Sequence, residues 1–508
     1  MRADGKRGKT NLAGTAVHWG RRMAGISLGV FLLHSVAAMA VTQPCRVDGL
    51  PNEMQCGVVK RALDAAKPDG PQIEVRYLLV PAKARNKLKD AVLVLAGGPG
   101  QSAIGIAPAV LPRLSRLNNR RDLVFIDQRG TGKSAPLQCA DESRLPVQQA
   151  MDPELQLQRL RQCAQDLSRL PHGDMRFYTT TIAVQDFEAV RQQLSVSQWN
   201  LVGASYGTRA ALEYQRQFPA QVRRTVLDGV APPDMALPAS FSVDGQAALD
   251  QLFGGCEKDA NGEQACSKRF PQLRREWEAL LASLPRMVSV RHPVTGAPET
   301  FNLTRATVLR AVRSPMYVPA MAAGLPAAIH TAAQGDFSGL VGLANAIGGR
   351  KALQLAMGMH FSVVCAEDAP RLADSKQLQG RDFGLLDADL YGAVCSFWPR
   401  GVVPELFYSV TPAQSPVLLL SGGADPATPP RHGDRVAKAL GAKAQHVVVP
   451  QAGHGVMGVG CMGDVVYRFI VAATDEQAVP QDAGCATAIP RPPTFVPIQP
   501  APVAGGQS

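Results

Sequence analysis

Residues Gly203-Ala204-Ser205-Tyr206-Gly207 stand between a short apolar run, Trp199–Val202, and a helix-forming stretch, TRAALEYQRQF. Two glycines flanking a serine in that context let a strand turn sharply into a helix. The serine hydroxyl then projects from the strand end, and the helix amino-terminus beneath it favours developing negative charge. The flanking pattern has the same rhythm. Strands are predicted at Ile73–Val80, Ala91–Leu95, Leu123–Ile126, Asn200–Val202, Thr225–Leu227, Pro416–Leu420 and His446–Val449, and helices at Asp152–Arg169, Ile182–Leu194 and near His432–Leu440. Short apolar runs separated by helices predict an α/β protein with a mostly parallel, doubly wound sheet covered on both faces. Residues 235–400 break the rhythm. They are rich in Ala and Leu with helical periodicity, and predict an inserted, mainly helical cap domain between a first core part, 41–234, and a second, 401–487.

The ends of the chain read differently. A basic stretch closes at Arg21-Arg22, an apolar Met23–Ala40 follows, and Ala38-Met39-Ala40 offers small residues at a cleavage site before Val41. Residues 1–40 are therefore expected to be a signal peptide, with export to the periplasm or the extracellular space and no stable membrane association after cleavage. The formal charge of +11 is partly an effect of this segment, which holds six basic residues against one acid. The remainder is thinly spread without a dense run of Lys and Arg, so no nucleic-acid partner is expected. All ten cysteines follow residue 40, which suggests disulfides formed in an oxidising compartment. None has the Cys-x-x-Cys spacing of a metal or redox site, and no metal or other cofactor is expected. Spacing does not fix connectivity; pairing each cysteine with its neighbour is the working expectation. Residues 488–508 hold six prolines and predict an extended or disordered tail.

A nucleophilic serine needs a base, and the base needs a group to orient it. Asp425 lies just beyond the predicted strand PVLLL, and His454 just beyond HVVVP. The chain order Ser205, Asp425, His454, with acid and base each on a loop after a late strand, fits a catalytic triad. His432 is the nearest competitor, but it falls on the helix after the Asp loop. An oxyanion hole needs one N–H from the residue after the nucleophile, Tyr206, and one from an earlier strand–helix loop. The loop Ala96–Ser102 (AGGPGQS) supplies the second, and Gly98 is preferred because Pro99 has no N–H to give. Arg129–Ser134 ends like a phosphate-binding loop, but Asp127 stands where that motif requires glycine.

The ordered motifs AGGPGQS (96–102), DQRGTGKS (127–134), GASYGT (203–208), LDGV (227–230), Asp425-Pro426-Ala427-Thr428 and Gly453-His454-Gly455 together resemble the proline iminopeptidase and tripeptidyl aminopeptidase family of α/β-hydrolases. The late pair Cys461 and Cys485, the segment Ser314–Asp336 and VVCAED (363–368) are similar to its tripeptidyl-aminopeptidase-like branch. The resemblance runs from about Cys45 to Cys485. It implies an α/β-hydrolase fold with a cap, a peptide or ester substrate, and a serine exopeptidase acting on free N-termini or a close esterase relative. It assigns Ser205 as nucleophile, His454 as base, Asp425 as orienter, and Gly98 and Tyr206 as oxyanion donors. It also implies a cap-side acid that anchors the substrate's α-ammonium group, for which Glu367, with Asp368 in reserve, is the candidate. Ala96 and Tyr206 replace the His and Trp of proline iminopeptidases proper, which directs the expectation away from strict proline specificity.

Overall fold

The computed structural model describes residues 41–258, 265–348, 354–372 and 379–497. The expected signal peptide, 1–40, and the last part of the tail, 498–508, lie outside the described residues. Strands β1 (Gln43–Cys45), β2 (Met54–Ala62), β3 (Gln72–Val80), β4 (Ala91–Leu95), β5 (Leu123–Ile126), β6 (Trp199–Ala204), β7 (Val222–Asp228), β10 (Val417–Gly422) and β11 (Ala444–Val449) form one sheet in the order β1-β2-β3-β5-β4-β6-β7-β10-β11. From β5 to β11 neighbouring strands are parallel, whereas β1, β2 and β3 add to β5 as an antiparallel edge. The sequence pattern misses β1 and β2 because an antiparallel edge can be half-solvated and carries no continuous apolar run.

In the parallel part, successive side chains point to opposite faces. Leu93, Val124, Leu201, Leu227 and Leu419 pack on one face, and Val92, Val94, Phe125, Val202, Val226, Leu418 and Leu420 on the other. Because β4 lies between β5 and β6, the strand order reverses beside it. That reversal opens a crevice at the carboxyl ends of β4 and β6, the place where open α/β sheets bind ligands.

The insertion after β7 has its own core, built from Leu249, Phe253, Trp277, Leu280, Val288, Phe301, Leu309 and Ile329. It is mainly helical but also contains a hairpin of β8 (Arg286–Arg291) and β9 (Pro298–Leu303), which the periodicity did not disclose. Its last helices, Met357–Glu367 and Ala388–Cys395, instead bury Met359, Phe361, Val363, Cys365 and Val394 in the core on one face of the sheet. Helical periodicity says which face is apolar, not what will cover it.

Five disulfides join sequence neighbours as expected: Cys45–Cys56, Cys139–Cys163, Cys256–Cys266, Cys365–Cys395 and Cys461–Cys485. Beyond the last, the described part of the tail has no helix or strand after Ala488, and the Phe495 N–H donates to the Ala323 carbonyl of the insertion at 2.9 Å. No helix among the described residues is long and apolar enough to cross a membrane.

Candidate active site

Ser205 joins β6 to the helix Tyr206–Gln217 with φ +56° and ψ −125°, a left-handed conformation that costs a non-glycine residue about 1–3 kcal/mol. The flanking glycines make that corner sterically feasible. A Cβ on Gly203 would lie 2.4 Å from the Gly207 carbonyl oxygen, and one on Gly207 would lie 2.2 Å from that of Leu95. The corner is held from three sides. The Ser205 N–H donates to the Asp228 carbonyl at 2.9 Å, and the Ser205 carbonyl accepts from the Thr208 N–H at 2.9 Å and its hydroxyl at 2.6 Å.

Asp425 and His454 follow β10 and β11. Asp425 Oδ2 lies 2.8 Å from His454 Nδ1, and Asp425 Oδ1 accepts the N–H groups of Ala427 and Thr428 at 2.8 and 2.9 Å. The Thr428 hydroxyl donates to Asp425 Oδ2 at 2.8 Å and sits 3.1 Å from His454 Nδ1. Burial opposes charge on Asp425, but the His454 charge and hydrogen bond, with the backbone donors, hold the carboxyl below its ordinary range. A carboxylate only accepts, so His454 Nδ1 carries its proton inward and Nε2 is left as the basic nitrogen. Burial likewise opposes the imidazolium, yet Asp425, and more weakly Asp228, keep the His454 pKa above its ordinary value.

Asp228, at the end of β7, ties the two halves together. Its carbonyl takes the Ser205 N–H, while its carboxylate accepts the N–H groups of Val456 and Met457 at 2.7 and 2.9 Å, just past His454. The insertion also reaches His454. The Tyr317 carbonyl accepts the His454 N–H at 2.9 Å, and the Tyr317 ring stands edge-on to the imidazole with centroids 5.1 Å apart. Thr428, Asp228 and Tyr317 all lie in segments singled out in the sequence, but only their tertiary partners disclose what they do.

The loop after β4 lies against the serine corner: a Cβ on Gly97 would be 3.2 Å from the Ser205 Cβ. Gly98 and Gly100 both have positive φ, +111° and +107°. Ser102 caps the following helix, Ala103–Leu114, by accepting the Gly105 N–H, and donates to Asp127 at 2.6 Å. The phosphate-loop look-alike thus serves as an anchor for this loop. Tyr206 begins the helix after Ser205; its side chain is buried, with its hydroxyl 2.6 Å from Thr180 Oγ1 and accepting from Gln128 at 3.0 Å.

The expected amine-anchoring acids are placed otherwise. Glu367 and Asp368 have no exposed side-chain surface and both pair with Arg209, itself fully enclosed. Asp368 accepts from both Arg209 terminal nitrogens at 3.1 Å and from the Leu237 N–H at 3.0 Å. Glu367 accepts the Thr180 N–H at 2.7 Å and the Thr180 hydroxyl at 3.1 Å. The expectation that either carboxylate meets substrate is corrected on that ground, because their oxygens are turned onto Arg209, Thr180 and Leu237. Burial pushes the Glu367 carboxyl up to about 7 despite the nearby guanidinium.

Two family models match the chain, the alpha/beta hydrolase fold over residues 90–265 and TAP-like protein over residues 385–485. The chain has the α/β-hydrolase fold, and its later part is similar to TAP-like proteins. This hydrolase is 31% identical to a tripeptidyl aminopeptidase of Streptomyces lividans over 237 residues, 43% of this chain and 42% of the relative. It therefore spans about two fifths of that relative's length. It is 24% identical to serine protease Hip1 of Mycobacterium tuberculosis over 473 residues, covering 85% of this chain and 88% of the other. Carboxylesterase B of Mycobacterium tuberculosis is similar at 28% identity over 419 residues, 76% and 78% of the two chains.

Proposed function

We propose that this hydrolase is an exported serine aminopeptidase that releases amino acids or short peptides from free N-termini through an acyl-enzyme. The observation that carries the reading is the 2.8 Å contact between His454 Nδ1 and Asp425, with the His454 loop tied through Asp228 to the left-handed serine after β6. In this reading Ser205 Oγ attacks the acyl carbon and His454 Nε2 takes its proton. The N–H groups of Gly98 and Tyr206 stabilise the oxyanion. His454 then protonates the leaving amine, and water attacks the acyl-enzyme by the reverse proton path. No step calls on a metal or cofactor. The relatives named aminopeptidase and serine protease support a peptide substrate. The basic and apolar leader, together with five disulfides, supports export to the periplasm or beyond the cell.

A carboxylesterase with the same triad is the second reading. The commitment of Glu367 and Asp368 to Arg209 favours it. Purified mature protein separates the two with tripeptidyl p-nitroanilides bearing a free or an acetylated N-terminus, run beside p-nitrophenyl acetate. The aminopeptidase reading expects amide cleavage that requires the free amine and is abolished by Ser205→Ala. Ester turnover without amide turnover replaces it with the esterase reading, and activity surviving in Ser205→Ala removes both.

A further inference from the structure

The loop after β4 leans on a distant segment. Pro99 offers its carbonyl oxygen to His360 Nδ1 at 3.0 Å, and Gly100 offers its own to the Ala356 N–H at 2.9 Å. Gln101 and Leu355 extend these contacts by one antiparallel bridge. Side-chain bulk is excluded there, since a Cβ on Gly100 would lie 2.9 Å from the Ala356 carbonyl oxygen.

The protonation pattern of His360 in this seam follows from its partners. A backbone carbonyl only accepts, so Nδ1 must carry a proton. The other nitrogen, Nε2, is 2.8 Å from the Tyr391 hydroxyl. Neutral imidazole with Nε2 as acceptor satisfies both contacts, and burial disfavours the doubly protonated ring. Phe361 and Tyr391 stand edge-on to the imidazole, with centroids 5.3 and 5.6 Å away, and fix its plane.

We propose that His360 is a positioning residue for the oxyanion hole, holding the Gly98–Gly100 loop in place through its Nδ1–H bond to the Pro99 carbonyl. The inference rests on the serine-hydrolase reading above. Its physical basis is peptide planarity: fixing the Pro99 carbonyl fixes the Gly100 N–H on the opposite side of the same plane. That nitrogen packs against Gly98, at 2.7 Å from where a Gly98 Cβ would sit, so the orientation of one peptide constrains the next. An oxyanion donor is effective only when preorganised, which makes the supporting hydrogen bond a contributor to kcat rather than to substrate affinity.

The test compares His360→Asn with His360→Leu in the mature protein. Asn keeps an N–H at the δ position, as Nδ1 does, whereas Leu keeps bulk and loses the donor. The readouts are kcat and KM for p-nitrophenyl acetate, the rate at which a fluorophosphonate labels Ser205, and the thermal midpoint. The Leu variant is expected to lose about 10–100-fold in kcat and labelling rate with KM changed by less than about threefold, and Asn to recover most of that loss. Parental kcat in the Leu variant overturns the proposal. So does an Asn variant as slow as Leu at equal thermal midpoint. If Leu does not fold, His360→Gln takes its place, since its amide nitrogen is one bond farther out and misses the Pro99 carbonyl. Ser205→Ala, run in parallel, keeps the two claims apart: turnover there defeats the serine reading, whereas a dead Ser205→Ala beside an unaffected His360→Leu defeats only this inference.

Discussion

At the scale of single residues, the Asp425–His454 pair, proposed as orienter and base, is tuned by a third group. Thr428 gives its hydroxyl proton to the Asp425 oxygen that also faces His454, and so shares the negative charge that holds the imidazole proton. Removing that donor leaves more of the charge for His454. Thr428→Val is therefore expected to raise the His454 pKa further and to lower kcat about tenfold, because the imidazole also loses a neighbour that fixes its plane. The parent gives the reference. Its His454 is already held above the ordinary 6.5, so kcat/KM should fall on the acid side of a midpoint higher than 6.5. A pH–rate profile of parent and variant checks both statements, and an acid limb that stays in place or moves down contradicts the assigned role of Thr428.

At the scale of elements, β7 converts strand geometry into a relation between Ser205 and the His454 loop. Its last residue, Asp228, holds Ser205 through the main chain and the His454 loop through the carboxylate. Asp228→Asn keeps the main-chain bond but offers one acceptor oxygen where two N–H groups need one each. The orphaned donor should cost about 1–3 kcal/mol, seen as a lower thermal midpoint, and the loosened His454 loop should lower kcat with little change in KM. Unchanged stability and kcat would mean the loop holds itself. The same element shows what was legible in the sequence. The apolar run Thr225–Leu227 announced the strand, and the strand–serine–helix context announced Ser205, because both signals are local. The contact between Asp425 and His454 was foreshadowed by their places after two late strands. Long-range partners left no such trace: Arg209 lies 158 residues from Glu367, so VVCAED looked like an acid turned toward substrate. The half-solvated edge strands and the β8–β9 hairpin escaped for a related reason, since short or solvated strands carry no sustained apolar run.

At the scale of the whole molecule, sheet and insertion are joined by a buried charge cluster centred on Arg209. Its guanidinium, on the helix after Ser205, reaches Asp368, Glu367 and the carbonyls of Pro232 and Met235, where the chain leaves the sheet for the insertion. Replacing Arg209 by Met strands two carboxylates in the interior and should cost about 3–5 kcal/mol. Glu367 gives the cluster a pH dependence of calculable sign. Its folded pKa is about 7 against an ordinary 4.5, so between those values the folded chain holds a proton that the unfolded chain has released. The stability from this group is complete below pH 4.5 and declines as pH rises through 7. Glu367→Gln removes the titration while its amide oxygen still accepts the Thr180 N–H. Parent and variant should therefore diverge with pH, the parent losing on the order of 3 kcal/mol more than the variant between pH 5 and pH 8. Thermal midpoints taken across that range read the divergence directly. Curves that stay parallel would mean Glu367 is ionised throughout, held as a carboxylate by Arg209 and Thr180.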